Sequence, residues 1–213
     1  MRIDIWSDVV CPWCFLGKRR IERALRFLPW GEEVEVRWRA YQLDPRASTV
    51  PGDLRVAIDR KYGPGGFDAM VRRLTPLGRD EGIGYAFERA QRVNTRDAHR
   101  LLAWAWETGG ARAQGALKER LFLAYFSEGG NVADHAALAG YAGAAGLDPR
   151  AAAAVLADGT FDDHVTADIA VAREREVTGV PAFVVDDRFT IPGAQSVETF
   201  VAVLERARAR AAG

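Results

Sequence analysis

The sequence predicts an α/β protein in which one sheet domain is interrupted by a large all-helical insertion. Three observations carry this. The first 45 residues read as strand, helix, strand; the stretch from about Asp53 to Thr178 reads almost wholly as helix; and the chain closes with two short strands and a helix. No repeat, low-complexity tract or linker-like stretch divides this order. Residues 1–50 and 178–213 are therefore assigned to one α/β unit, and residues 51–177 to the insertion.

Each element has a local cause. Arg2 to Trp6 reads as the first strand. Pro12 then stands where a helix begins, a position that suits proline because its missing N–H would have been an orphan there. Leu16, Arg20, Ile21, Ala24, Leu25 and Leu28 make a mostly apolar stripe at helical spacing, and Pro29-Trp30-Gly31 ends it. Val34 to Arg39 alternates apolar and charged, the period of a strand with one buried face.

In the insertion, Asp53 opens a helix that Gly63-Pro64-Gly65-Gly66 breaks. A second helix spans Phe67 to Arg79, disturbed at Pro76, and Gly82 to Phe87 reads as extended. Asn94 or Thr95 caps a helix through Trp106. Further helices span about Ala113–Glu128, Ala133–Ala145, Pro149–Ala157 and Asp162–Thr178, with glycine-containing breaks between them. Val180 to Val185 and Phe189 to Ile191 form a hairpin around Asp186-Asp187, and Ser196 caps a last helix to about Arg210.

Composition narrows the function classes. Lys plus Arg and Asp plus Glu are both 29 over 213 residues, so no global charge draws the chain to nucleic acid or an anionic membrane. No run approaches the roughly 20 apolar residues of a membrane span, and Met1 leads into a strand rather than an export signal, which predicts a cytoplasmic protein. Lysine stands only at Lys18, Lys61 and Lys118 among the 29 basic residues; the abundance of Arg, Ala and Gly reads as a GC-rich genome rather than an Arg-rich binding surface.

The two cysteines are Cys11 and Cys14, and their placement carries the chemistry. Two thiols two residues apart at a strand-to-helix junction can close a short disulfide. The first meets the positive end of the helix, where CxxC thiols have pKa values lowered to roughly 3.5–7.5. Cys11 is then expected as the exposed attacking sulfur and Cys14 as the resolving one. Pro12 and Trp13 between them set how many amides reach Cys11. Two other readings are a zinc half-site and plain core cysteines. Zinc needs four ligands, whereas there is no second CxxC and His99, His135 and His164 lie far apart in the chain, so no metal is expected. Val180-Pro181 opens a strand about 170 residues later. A cis bond there would turn the Val180 backbone toward an incoming extended chain.

The blocks Ser7 to Arg20, Asn94 to Leu101, Leu121 to Phe126, Gly179 to Val184 and Gly193-Ala194-Gln195 together resemble the FrnE-type branch of DsbA-like thiol oxidoreductases, over nearly the whole chain. The resemblance implies a thioredoxin-like fold with a helical insertion, catalytic Cys11 and Cys14, and a cis-proline at Pro181 that faces them and, with Val180, holds the substrate. Many thioredoxin-fold proteins carry a buried acid six residues before the first cysteine. Here that position is Ile5, and Asp4 is expected on the other face of its strand. The related 2-hydroxychromene-2-carboxylate isomerases and kappa-class glutathione transferases usually carry serine at the position of Cys11, so retention of both thiols favours dithiol chemistry.

The exchange partners implied are protein disulfides or dithiols, or glutathione as co-substrate, with no bound cofactor beyond the redox-active disulfide. An aromatic or polyketide-like small molecule is the alternative substrate class, for a glutathione-dependent isomerase or transferase. A monomer or homodimer is expected. Asp8, Gln42, His99 and Gln195 are the further polar candidates for the cleft. His99 also reads as a half-exposed helix histidine. Leu117, Leu121, Tyr125 and Glu128 read as a face running from core to rim.

Overall fold

In chain order the elements are β1 (Arg2–Ser7), α1 (Pro12–Phe27), β2 (Glu35–Ala40), β3 (Gly52–Asp53), α2 (Leu54–Tyr62), α3 (Gly66–Asp80), β4 (Gln91–Arg92), α4 (Arg96–Leu123), α5 (His135–Ala144), α6 (Pro149–Asp158), α7 (Asp162–Glu174), β5 (Ala182–Val185), β6 (Phe189–Pro192) and α8 (Val197–Ala211). They come from a computed structural model that describes residues 1–211. Four strands form one mixed sheet in the order β2-β1-β5-β6. β1 runs parallel to β2 and antiparallel to β5, and β6 closes the edge as a hairpin. Asp186 and Asp187 turn that hairpin with φ of 46° and 60°, the paired positive values of a tight turn whose twist matches its strands.

The alternation of β1 gives its two faces different work. Ile3 and Ile5 join Trp38, Phe183 and Val185 under α1 and α8, where Ile21, Ala24, Phe200 and Leu204 complete a cluster. Trp6 faces the other way with Ala182, Val184 and Ala172 of α7. Asp4 shares that second face, as its alternation required, and its carboxylate accepts from Arg39 at 2.6 Å and Arg2 at 2.7 Å. The largest cluster lies at the start of α1, where Cys11, Cys14, Phe15 and Leu16 pack with Phe67, Leu101, Leu121, Phe122 and Phe126 of the helical block. The CxxC therefore sits on the seam between sheet and helices.

Several boundaries differ from the sequence reading, each for a local reason. Strand β5 begins at Ala182 rather than Val180, because Pro181 has no N–H to give a ladder. The helix around Pro76 is continuous from Gly66 to Asp80, held by buried Phe67, Leu74 and Gly78. Gly82 to Phe87 is not a strand; the short pair in this region is β3 with β4. The break at Gly109-Gly110 is a kink inside α4, where Gly110 takes φ 61°, ψ −154°. The helix expected to reach Glu128 ends at Leu123, and Ala124–Glu128 continues as a π turn. Asn94 does the capping of α4 through its carboxamide oxygen, which accepts from Arg96 N at 2.9 Å; the Thr95 side chain makes no cap.

Candidate active site

Cys11 is the N-cap of α1, with extended backbone at φ −96°, ψ 112°, and Pro12 occupies the first turn. The Cys11 carbonyl accepts from the N–H groups of Cys14 (3.0 Å) and Phe15 (3.3 Å), while its own N–H donates to the Asp8 carbonyl at 3.1 Å. The CxxC turn is thus fixed by backbone hydrogen bonds before any side chain acts. The Val180–Pro181 bond is cis, and the Cys11 Sγ–H donates to the Val180 carbonyl at 3.6 Å. Both cysteines are free thiols.

The expectation of an open, acidic Cys11 needs correction. Cys11 is only 3% exposed and Cys14 is fully buried. The Cys11 thiol is held well above its ordinary range, first by the Cys14 side chain hydrogen-bonded to it and then by burial. The Cys14 backbone N–H at the helix terminus opposes this without prevailing. In this closed dithiol the helix end alone does not free a thiolate on Cys11.

The residues that bring α1 against Pro181 are small. At Gly17, one turn beyond Cys14, a Cβ would lie 3.1 Å from both Phe183 Cζ and Pro181 Cγ, so glycine permits the approach. The Pro181 carbonyl accepts from Gly193 N–H at 2.8 Å, and Arg20 on α1 donates to the Ala194 carbonyl at 2.9 Å. These bonds lock the loop after β6 to the proline loop and to α1. Trp13 is half-buried, with the Arg73 guanidinium over its ring at 4.8 Å.

Among the cleft candidates, Asp8 and His99 come together and Gln42 and Gln195 do not join them. Asp8 is fully buried, and its carboxylate accepts from Leu43 N–H at 2.8 Å and faces His99 Nε2 at 3.2 Å. His99 is buried rather than half-exposed. The Gln42 amide is used on Asn94 and Thr95, holding the segment after β2 to the start of α4. The Gln195 side chain bends back to the Pro192 carbonyl.

Two residues near the sulfurs escaped the sequence reading. Tyr85 donates from its hydroxyl to the Pro12 carbonyl at 2.7 Å, and its ionisation is pushed up by burial and then by the neighbouring thiols. It lies in the segment read as extended, and Gly78 makes room for it, since a Cβ there would meet its ring at 2.4 Å. The other is Lys118 on α4, fully buried and with no hydrogen-bond partner among the described residues. Its sequence signal was the stripe Gln114, Leu117, Lys118, Leu121, Phe122 and Tyr125, which places the lysine inside a buried helical face.

The DSBA-like thioredoxin domain family matches residues 2–205. The chain belongs to that family. Its fold is the thioredoxin-like DsbA fold, with a mixed sheet and, among the described residues, eight α-helices. A probable DsbA oxidoreductase from Streptomyces coelicolor is 36% identical and superposes with a TM-score of 0.90, covering 98% of this chain and 90% of that one. The uncharacterized protein YwbO of Bacillus subtilis is 28% identical over 202 residues, 94% of each chain. The cytosolic disulfide reductase DsbM of Pseudomonas aeruginosa, at 16% identity and a TM-score of 0.71, shares the fold over 97% of this chain and 98% of its own, and a further structure of it contains GSH.

Proposed function

We propose that this chain is a cytoplasmic thiol–disulfide oxidoreductase that exchanges a Cys11–Cys14 dithiol with partner thiols and disulfides, glutathione among them. The observation that carries the reading is the Cys11 sulfur at the N-terminus of α1, 3.6 Å from the Val180 carbonyl, with Cys14 buried behind it. Both cysteines are buried, so the roles rest on position: Cys11 caps the helix beside the cis Val180–Pro181 bond and takes the attacking role, and Cys14, inside α1, takes the resolving one.

The Cys11 thiolate attacks one sulfur of the partner disulfide. A Cys11–partner bond forms, the partner S–S bond breaks, and the leaving thiolate takes a proton. Cys14 then attacks Cys11, releasing the second partner thiol and closing Cys11–Cys14. The partner has gained two electrons and two protons, and this chain has lost them. Run backward, the same steps oxidise a partner dithiol. Val180 and Pro181 flank the path by which a partner backbone reaches Cys11. Glutathione as co-substrate is supported by the DsbM fold relative whose structure contains GSH.

The test is a pair of variants. Cys11→Ser is expected to abolish insulin reduction and dithiol oxidation, while Cys14→Ser accumulates mixed disulfides on Cys11. Full turnover by Cys11→Ser protein would overturn the mechanism.

A further inference from the structure

Lys118 is the one described lysine that is buried without an acidic partner. Lys18 is almost as buried, but its ammonium rests on Glu22 at 2.6 Å and Glu119 at 2.8 Å. Lys118 has no such pair. Its ammonium lies over the Phe122 ring at 4.9 Å and the Trp38 ring at 5.5 Å. Phe122 stacks at 4.9 Å on Phe15, the residue next to Cys14, and Trp38 sits in register with Ile5 on β1. Those two aromatic faces supply only cation–π attraction, a modest return for a desolvated charge.

We propose that Lys118 is a positioning residue of the dithiol: a fixed buried cation whose field stabilises the thiolate formed when the Cys11–Cys14 disulfide is reduced. The proposal rests on the dithiol reading above. A partner dithiol that reduces Cys11–Cys14 becomes a disulfide and leaves here one thiol, one thiolate and a released proton. The thiolate then has an opposite charge in the same low-dielectric seam. In the disulfide no thiolate is present, and the ammonium loses that counter-charge. The cation therefore favours the reduced form and makes the couple more oxidising.

The charged and titratable surroundings agree with this placement. Burial pushes Lys118 down, Cys14, Asp8 and Cys11, in that order, pull it back up, and Lys18 opposes them, which leaves it at about 8. Asp8 is held by His99 and Leu43. On β2, Arg39 is paired with Asp4 and Asp168, and Arg37 lies over Trp106. Tyr125 turns its hydroxyl to the Gln91 carbonyl. The sulfurs and Asp8 are thus the anionic or potentially anionic groups whose field reaches this ammonium.

The test compares wild type, Lys118→Met and Lys118→Arg by thiolate ultraviolet absorbance against pH and by equilibrium with glutathione buffers. Loss of a nearby opposite charge moves thiol ionisation by about tenfold or more. Lys118→Met is expected to need an about tenfold lower proton concentration to form its first thiolate. Its glutathione equilibrium should shift about tenfold toward the disulfide, about 30 mV for a two-electron couple. Lys118→Arg, which keeps the charge, should stay near wild type.

A folded Lys118→Met protein that titrates like wild type overturns the proposal. Should the variant not fold, NMR titration of the wild-type Lys118 Nζ decides. A pKa near 8 in the dithiol that falls in the disulfide supports the proposal, and equal values in both states overturn it. A wild-type protein with no reversible couple would instead overturn the dithiol reading, while the thiolate titration would still report on Lys118.

Discussion

Lys18 on α1 and Lys118 on α4 line the same buried seam behind the CxxC, and they are held in opposite ways. Lys18 ends on two carboxylates, Glu22 and Glu119, and Glu119 also takes Arg19. Lys118 ends over two aromatic rings with no hydrogen-bond partner among the described residues. A paired buried ammonium recovers part of its lost hydration and ties elements together. An unpaired one destabilises the fold, and keeping it is informative because an apolar side chain of similar size would be more stable there. The difference separates a lysine that holds α1 against α4 from one whose charge serves the sulfurs.

The comparison breaks first on pH. Burial lowers Lys118 from the ordinary 10.5 to about 8, so between those values the unfolded chain keeps a proton that the folded chain has lost. Folding stability must therefore rise with pH through that window, by about 3 kcal/mol for a fully buried group. Denaturant melts of the reduced protein should show this rise relative to Lys118→Met, which should also be the more stable protein at pH 7. A flat difference between the two would place Lys118 in contact with water or an anion.

Lys18→Met should act in the other direction, costing about 1–3 kcal/mol by removing the ammonium that hydrogen-bonds Glu22 and pairs with Glu119. If both methionine variants destabilise equally, the distinction between the lysines fails. Glu119→Gln sharpens it with a smaller effect, about 1 kcal/mol, by weakening the Lys18 and Arg19 pairs while leaving the thiolate titration unchanged. Tyr85→Phe should have the smallest effect, up to about 1 kcal/mol for the bond to the Pro12 carbonyl. Chemical denaturation checks each.

The parts of the site that were legible in the sequence are those made locally. Cys11-Pro12-Trp13-Cys14 declares its own turn, because a proline in the first helical turn and a cap residue before it are neighbours in the chain. The succession of strands and helices along the chain follows from their periods, whereas the thioredoxin-like sheet was implied only by the family resemblance. What the sequence hid is assembled by packing. His99 meets Asp8 across 91 residues, and Tyr85 reaches Pro12 across 73. As one of three lysines in an arginine-rich chain, Lys118 carries no compositional signal. Its place in the stripe from Gln114 to Tyr125 was the signal, because a cation on a buried helical arc calls for a partner or a purpose. The acidity expected of Cys11 failed for the same reason: helix-end geometry is local, whereas burial beside Cys14 is not.

The proposed exchange requires Cys11 and Cys14 to act as one couple. Equilibrating the wild-type protein in graded glutathione buffers, alkylating it and weighing it counts the free thiols at each poise. Both thiols should disappear together in a single two-electron transition, leaving a Cys11–Cys14 disulfide without retained glutathione. One glutathione held stoichiometrically on Cys11 while Cys14 stays free, or two thiols indifferent to the buffer, would contradict it.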